Sequence, residues 1–518
     1  MKTVVDDKYR AKIKTLEELI EAIGPRPRDK KVIMCHGTFD VVHPGHIRHL
    51  MYAAGKSDLL IASVTGDEHI KKANFRPFVP EQLRAINLAA LDMVDFVIID
   101  RNPTPLHNMD KIQPDFFAKG YEYVSSGLPT KTQEEKDILD SYGGEFIFTP
   151  GDIVYSSSKL IEASPPKISS EKLLSLFEAE NLNFHDLTDA LPKFAGVKVH
   201  VIGDTIVDTY TNTTMIGGQT KTPTISVRYE SQEDFVGGAG VVAKHLQAAG
   251  ADVTFSTVLG DDKMAEFVLN DLEKVGVKTQ AIIDSTRPTT NKNAIVCGGY
   301  RMLKIDTLDN RAISERIQTE LHEQIRDTDT QCVMFCDFRH GIFNPETIPG
   351  LIEAIPAGVF RVADSQVASR WGNICEFQGF DLITPNEREA RFALGDQDSV
   401  VRPLAQKLYS RAHCRNLILK LGQRGLIAYR QRDDIDDVRS FFAVDSFVDH
   451  VVDAVGAGDA LMSYATLAHI VTGNEVVAAV LGAMAAAVEC EYDGNIPVTH
   501  EDVLKKIKTA ESRALYQG

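Results

Sequence analysis

Two blocks of short apolar runs, most of them followed by a helical stretch, constrain this chain more than any other feature. In the first block, residues 31–35, 58–64, 94–99, 116–119 and 146–148 read as strands, and 15–23, 46–54 and 81–91 as helices. Strand–helix alternation marks a parallel sheet covered on its faces. The pattern ends near Ile161, and a Pro/Ser-rich break at 163–170 reads as a linker. A helical stretch over 171–191 follows. A second α/β block begins at 197–202 and runs to the C-terminus. Residues 209–235 interrupt it; they are rich in Thr, Val and Ile around Gly217-Gly218 and read as hairpins. The expectation is an α/β protein of two domains, 1–162 and 196–518, joined by a partly helical linker over 163–195. No internal repeat relates the halves.

Composition narrows the partners. With 56 Lys+Arg against 73 Asp+Glu, the formal charge is −17. Such a surface repels nucleic acid and anionic membrane, while a local basic pocket for phosphate remains compatible. The 7 cysteines are spread thinly with no CxxC spacing, so neither a disulfide scaffold nor a structural zinc site is expected. The first ten residues lack the apolar core of a signal peptide. A cytoplasmic location and no membrane insertion follow as expectations. The apolar run 475–489 is too short to span a bilayer and reads as a buried helix.

Chemistry concentrates at strand ends. The first strand runs into Cys35-His-Gly-Thr-Phe-Asp-Val-Val-His-Pro-Gly-His46. His43 and His46 stand at a helix N-terminus, where free N–H groups and the dipole attract phosphate. Two imidazoles there can donate to the charge that develops as an α-phosphate is attacked. Gly37 lets the backbone approach a nucleotide. A metal set built from His43, His46 and His49 lacks a completing ligand.

The string Gly37-Thr38-Phe39-Asp40 followed by His43-x-Gly45-His46 resembles the signature of the cytidylyltransferase-like nucleotidyltransferases. The resemblance covers 31–161. It implies a Rossmann-like transferase domain with His43, His46 and Lys72 in catalysis. Gly37, Thr38, Phe39, Arg76, Lys119, Ser156, Ser157 and Ser158 would bind the nucleotide. Arg84 fits the same pattern. CTP or ATP, with Mg2+, is the implied donor.

In the second block, Asp453-Ala-Val-Gly-Ala-Gly-Asp459 opens a helix. Small residues there expose N–H groups to an anion, and Asp459 is placed to take a proton from an attacking hydroxyl. Val236-Gly237-Gly238-Ala-Gly240 precedes another helix. Asn386 and Glu389 share a helix face and suit a hydrated Mg2+. Lys420-Leu-Gly422-Gln-Arg-Gly425 follows an apolar strand. Together these resemble the ribokinase-like (PfkB) sugar kinases over residues 197 to the end. That likeness implies Asp459 as base, and Asn386, Glu389, Lys420, Gly422, Gly425, Gly456, Ala457 and Gly458 on ATP. It implies Asp204, Asp208, Gly237, Gly238 and Asp337 on the sugar, and a β lid over 209–235 that pairs two subunits as a homodimer.

The pair of motifs is similar to the bifunctional heptose-phosphate kinase/adenylyltransferases, with the order reversed. Val241, His340 and Gln366 replace that family's usual Asn and two Lys residues. Two readings therefore stand: a fused sugar kinase and nucleotidyltransferase, or an active transferase carrying a non-catalytic sugar-binding module. A dinucleotide-binding reading of Gly238-x-Gly240-x-x-Ala243 needs a strand directly before it, and 230–234 is a poor strand by composition.

Overall fold

The computed structural model describes residues 7–70, 77–120, 130–149, 169–219, 224–367, 371–430, 440–492, 494 and 496–514. The chain divides into two compact units, Met1–Ser175 and Leu176–Gly518.

The first unit is built on a five-stranded parallel sheet in the order β3-β2-β1-β4-β5. The strands are β1 Val32–Gly37, β2 Leu59–Thr65, β3 Phe96–Asp100, β4 Phe116–Gly120 and β5 Glu145–Thr149. Their continuous apolar runs follow from burial on both faces. One face packs Ile33, Cys35, Ala62 and Val97 against Leu50 and Ala53 of the Pro44–Ala54 helix. The other packs Met34, Ile61, Ile98 and Phe117 against Leu19, Met109 and Leu139. The order reverses between β1 and β4, the switch point where open parallel sheets bind ligands.

The second unit has a nine-stranded sheet ordered β10-β9-β6-β13-β14-β15-β16-β17-β18. Its strands are β6 Lys198–Gly203, β9 Asp252–Leu259, β10 Lys278–Ile283, β13 Cys332–Asp337, β14 Phe360–Ser365, β15 Leu382–Ile383, β16 Asn416–Lys420, β17 Leu426–Arg430 and β18 Phe441–Val444. Pairing is parallel except for β16–β17 and β17–β18. A separate four-stranded sheet, ordered β12-β11-β7-β8, combines β7 Thr205–Gln219, β8 Thr224–Gly238, β11 Asn291–Cys297 and β12 Tyr300–Thr307. The Glu475–Cys490 helix is buried along nearly its whole length, as its apolar run requires.

Three local expectations are corrected. The 209–235 segment forms two long strands of one hairpin, and Gly217 sits inside β7 at a register shift rather than at the turn. Residues 230–234 are strand after all, with 231–234 paired with 209–212 and Glu230 at a register shift. The exposed lid ladder, not apolar alternation, holds them. That strand is antiparallel to β7, so the glycines after it open no βαβ unit. The helical stretch over 171–191 is broken into Ser169–Ala179 and Phe184–Ala190, with Asn181 left-handed at φ 55° and Asn183 capping the second helix.

Candidate active sites

In the first unit, His43 caps the Pro44–Ala54 helix. Its Nδ1 accepts the Gly45 N–H at 3.1 Å. That acceptor role leaves the proton on Nε2, which can donate to an oxyanion. Burial holds the His43 pKa below the ordinary value, so the ring is neutral. His46 stacks on His43 with centroids 3.9 Å apart, and Phe39 meets His46 edge-on. Phe39 itself has φ 48°, a strained value that turns the chain sharply after Gly37. A Cβ on Gly45 would come within 2.9 Å of the His43 ring. Asp40 Oδ1 accepts the N–H groups of Phe78 and Val79, both at 2.8 Å.

Two cations that fit the transferase pattern have partners within the fold. Arg84 is fully buried and donates to the carbonyls of Thr38, Thr65 and Val79 and to Asp67. It bolts the Gly-Thr-Phe-Asp turn to the sheet and reaches no open cleft. Lys119 pairs with Glu135 and donates to Thr132 at 3.2 Å. Lys72, Arg76, Ser156, Ser157 and Ser158 lie outside the described residues.

In the second unit, a cavity of about 900 Å³ lies at the C-terminal strand ends. Asp208, Gly238, Asn386, Glu389, Lys420, Gly422, Gly425, Gly456, Ala457, Gly458 and Asp459 all line it. Gly456 precedes the Ala457–Thr472 helix with φ 83°, and no side chain caps that N-terminus. Its first N–H groups are therefore oriented for an anion. A Cβ on Gly458 would stand 3.1 Å from Lys420 Nζ, so the ammonium abuts that same helix start. Lys420 Nζ donates to both carboxylate oxygens of Asp364 at 3.2 Å.

Burial, then the Asp364 carboxylate, pushes Asp459 up to about 7. Glu389 rises to about 7 for the same two reasons. Burial opposes the charge on Lys420, yet Asp364, Glu389 and Asp459 outweigh it and raise its pKa. Asn386 and Glu389 form a reciprocal capping box, at 2.9 and 2.7 Å. Among the described residues, no group of three His, Cys, Asp or Glu side chains is placed to hold a metal by itself. The oxygen donors of Asn386 and Glu389 fit Mg2+ held through water and nucleotide phosphate. All 7 cysteines are free thiols.

The sugar-side residues separate. Asp208 lines the cavity and faces Lys292 in register across β7–β11. Asp204 is buried, and its carboxylate accepts the N–H groups of Phe338, His340 and Ile342. Asp337 is buried against Arg339 and Ser365. Neither lines the cavity, nor does Gly237. Gly238, at φ 60°, passes so close to the Asp204 carbonyl that a Cβ would lie 2.6 Å from it. Lys292, which lines the cavity, was not legible as a site residue, and Asp364 of the Asp364-Ser-Gln366 stretch was not legible as the partner of Lys420. Asp364 is 56 positions from its Lys420 partner, and no spacing rule links them.

The profile of the pfkB family carbohydrate kinases matches residues 197–500, and that of the cytidylyltransferase-like proteins matches 34–166. The chain belongs to the pfkB family. The cytidylyltransferase-like segment precedes that family's domain in the same polypeptide. The bifunctional protein HldE of Koribacter versatilis is 36% identical over 156 residues, covering 30% of this chain and 31% of that protein. HldE of Desulfatibacillum aliphaticivorans is 26% identical over 339 residues, covering 64% and 66%. The chain thus spans less than two thirds of the length of these relatives. A crystal structure of phosphofructokinase-2 from Escherichia coli with substrates and products aligns with a TM-score of 0.50 at 18% identity. It covers 61% of this chain and 100% of that one, a likeness of fold.

Proposed function

We propose that the chain is a bifunctional enzyme of nucleotide-sugar synthesis, with domains over 1–162 and 196–518. The observation that carries the kinase reading is Asp459. It is a half-buried carboxyl poised near neutrality, at an uncapped helix start, beside a lysine and a large cavity. In this reading the acceptor hydroxyl gives its proton to Asp459 as its oxygen bonds the γ-phosphorus of ATP. The bond to the bridging oxygen breaks and ADP leaves. N–H groups of Gly456–Gly458 and the Lys420 ammonium take up the developing charge. Mg2+, held through Asn386, Glu389 and the phosphates, supplies further charge neutralisation when bound.

The N-terminal unit transfers a nucleotidyl group from CTP or ATP to a sugar or polyol phosphate. An acceptor phosphate oxygen bonds the α-phosphorus and pyrophosphate leaves. His43 Nε2 and His46 stabilise the crowded phosphorus, and Lys72 and Arg76 neutralise the triphosphate. The exposed apolar side chains of the small sheet, Ile216, Ile225, Tyr229 and Tyr300 among them, support a homodimer formed through this lid. Among the described residues no helix is long and apolar enough to cross a membrane, which is compatible with a cytoplasmic location.

The test is a pair of product assays on the full chain. ADP release is measured over a panel of sugars and sugar phosphates, and pyrophosphate release over four nucleoside triphosphates. Turnover in both supports the reading. Pyrophosphate release without ADP release with any sugar would favour a non-catalytic second unit.

A further inference from the structure

A polar row at the C-terminal ends of β1–β4 has no part in the chemistry above. Strand alternation puts His36, Ser63, Thr65, Asp100 and Lys119 on the face of Met34, Ile61, Ile98 and Phe117. The helix bearing His43 and His46 covers the opposite face. The crevice beyond the strand ends of an open parallel sheet is bordered by both.

His36 Nδ1 lies 2.9 Å from Ser63 Oγ and 3.7 Å from Asp100 Oδ2, and its Nε2 lies 3.2 Å from Thr65 Oγ1. Asp100 is fully buried. Its Oδ1 accepts the backbone N–H and side-chain amide of Asn102, at 3.0 and 2.9 Å. Its Oδ2 accepts no hydrogen bond from any described residue. A carboxylate oxygen beside Nδ1 favours the proton on that nitrogen, because the positive N–H edge then faces negative charge. Nε2 then accepts the Thr65 hydroxyl at 3.2 Å, which leaves the lone pairs of Thr65 Oγ1 at the rim where both residues keep partial exposure. Burial, and then the Lys119 charge, depress the His36 pKa to about 4, so the ring presents an acceptor rather than a cation.

We propose that Thr65 Oγ1, its proton held by His36 Nε2, reads a hydroxyl of the acceptor in nucleotidyl transfer, and that Asp100 is the positioning residue fixing the His36 tautomer and with it the direction of the Thr65 hydrogen bond. This rests on the transfer reading of the first unit. A hydroxyl whose proton is spent on His36 offers only lone pairs, so it accepts an O–H and repels a phosphate. The row therefore meets the polyol end of the acceptor and leaves its phosphate to the helix start on the other face.

The test uses the full chain with 15N-labelled histidine. Proton–nitrogen correlation at neutral pH should show His36 protonated on Nδ1, and Asp100→Asn should shift it toward a mixture. In pyrophosphate release with glycerol 3-phosphate and a set of hexose 1-phosphates, Asp100→Asn and Thr65→Val should raise the acceptor KM about tenfold, the scale of one lost hydrogen bond. The nucleotide KM and kcat should stay within about twofold. A wild-type ring protonated on Nε2, an unchanged acceptor KM, or an equal rise in nucleotide KM would overturn the assignment. No pyrophosphate release by wild type with any acceptor would remove the transfer reading and the hydroxyl role with it. The imidazole spectrum would still decide the part played by Asp100.

Discussion

Replacing Glu489 with Gln should stabilise the second unit, and only above acid pH. Glu489 sits near the end of the Glu475–Cys490 helix, 1% exposed. Both of its carboxyl oxygens accept no hydrogen bond from any described residue. Burial, then the Asp459 and Asp453 carboxylates, push it from an ordinary 4.5 up to about 8. Below pH 4.5 folded and unfolded chains both hold this proton, and the group costs nothing. Between 4.5 and 8 unfolding releases the proton, so stability falls by about 1.4 kcal/mol per pH unit. Above 8 the folded state carries a buried anion and the whole cost stands. That interval sets a ceiling of about 5 kcal/mol, and screening through the neighbouring cavity brings it to roughly 2–4 kcal/mol. Gln keeps the shape and cannot ionise. The stability difference between variant and wild type should be flat below pH 5, climb between 5 and 8, and level off at pH 9. Trp371 is the chain's 1 tryptophan and lies in the second unit. Its fluorescence in urea therefore follows that unit within the full chain. Parallel pH profiles for the two proteins would refute the reasoning.

Other outcomes follow from the same geometry. Asp459 must be ionised to accept a proton and sits at about 7, so kcat/KM for phosphoryl transfer should rise with pH through 7 and then level. A flat profile from pH 5.5 to 8.5 would remove it as the base. Gly458→Ala puts a methyl 3.1 Å from Lys420 Nζ, and should raise the KM for ATP by about tenfold or more with an unchanged circular dichroism spectrum. Arg84→Met orphans the carbonyls of Thr38, Thr65 and Val79. It should cost the first unit about 3–5 kcal/mol, read as a lowered denaturation midpoint. A loss of activity at unchanged stability would instead mark Arg84 as a phosphate ligand.

How far the sequence carries depends on what holds each piece. Parallel strands are buried on both faces, so 31–35 and 197–202 declare themselves as apolar runs wherever the core is. The lid strands obey another rule. Glu230–Glu233 of β8 is exposed, and only its ladder to β7 makes it a strand, which composition does not record. The His43–His46 and Gly456–Asp459 helix starts were legible because proline, glycine and small residues mark a helix N-terminus locally. Long-range partners were not. The same arginine that resembles a phosphate contact in the sequence is, in the fold, a structural cross-brace, and only the positions of three distant carbonyls distinguish the two. Asn386 and Glu389 have the spacing of a helix face and also that of a capping box; the structure shows the second, and leaves their oxygens beside the cavity for the first. Asp204 carries the motif's acidic position yet spends its carboxylate on three backbone N–H groups.

The measurement that tests the account most directly crosses two variants with two half-reactions. Asp459→Asn and His46→Ala are each assayed in the full chain for ADP release and for pyrophosphate release from a supplied sugar phosphate. Asp459→Asn should abolish phosphoryl transfer and leave nucleotidyl transfer within about twofold. His46→Ala should lower nucleotidyl transfer by roughly 100-fold, the scale for losing a preorganised donor, and spare the kinase. Loss of both activities from either single change would contradict two independently built sites.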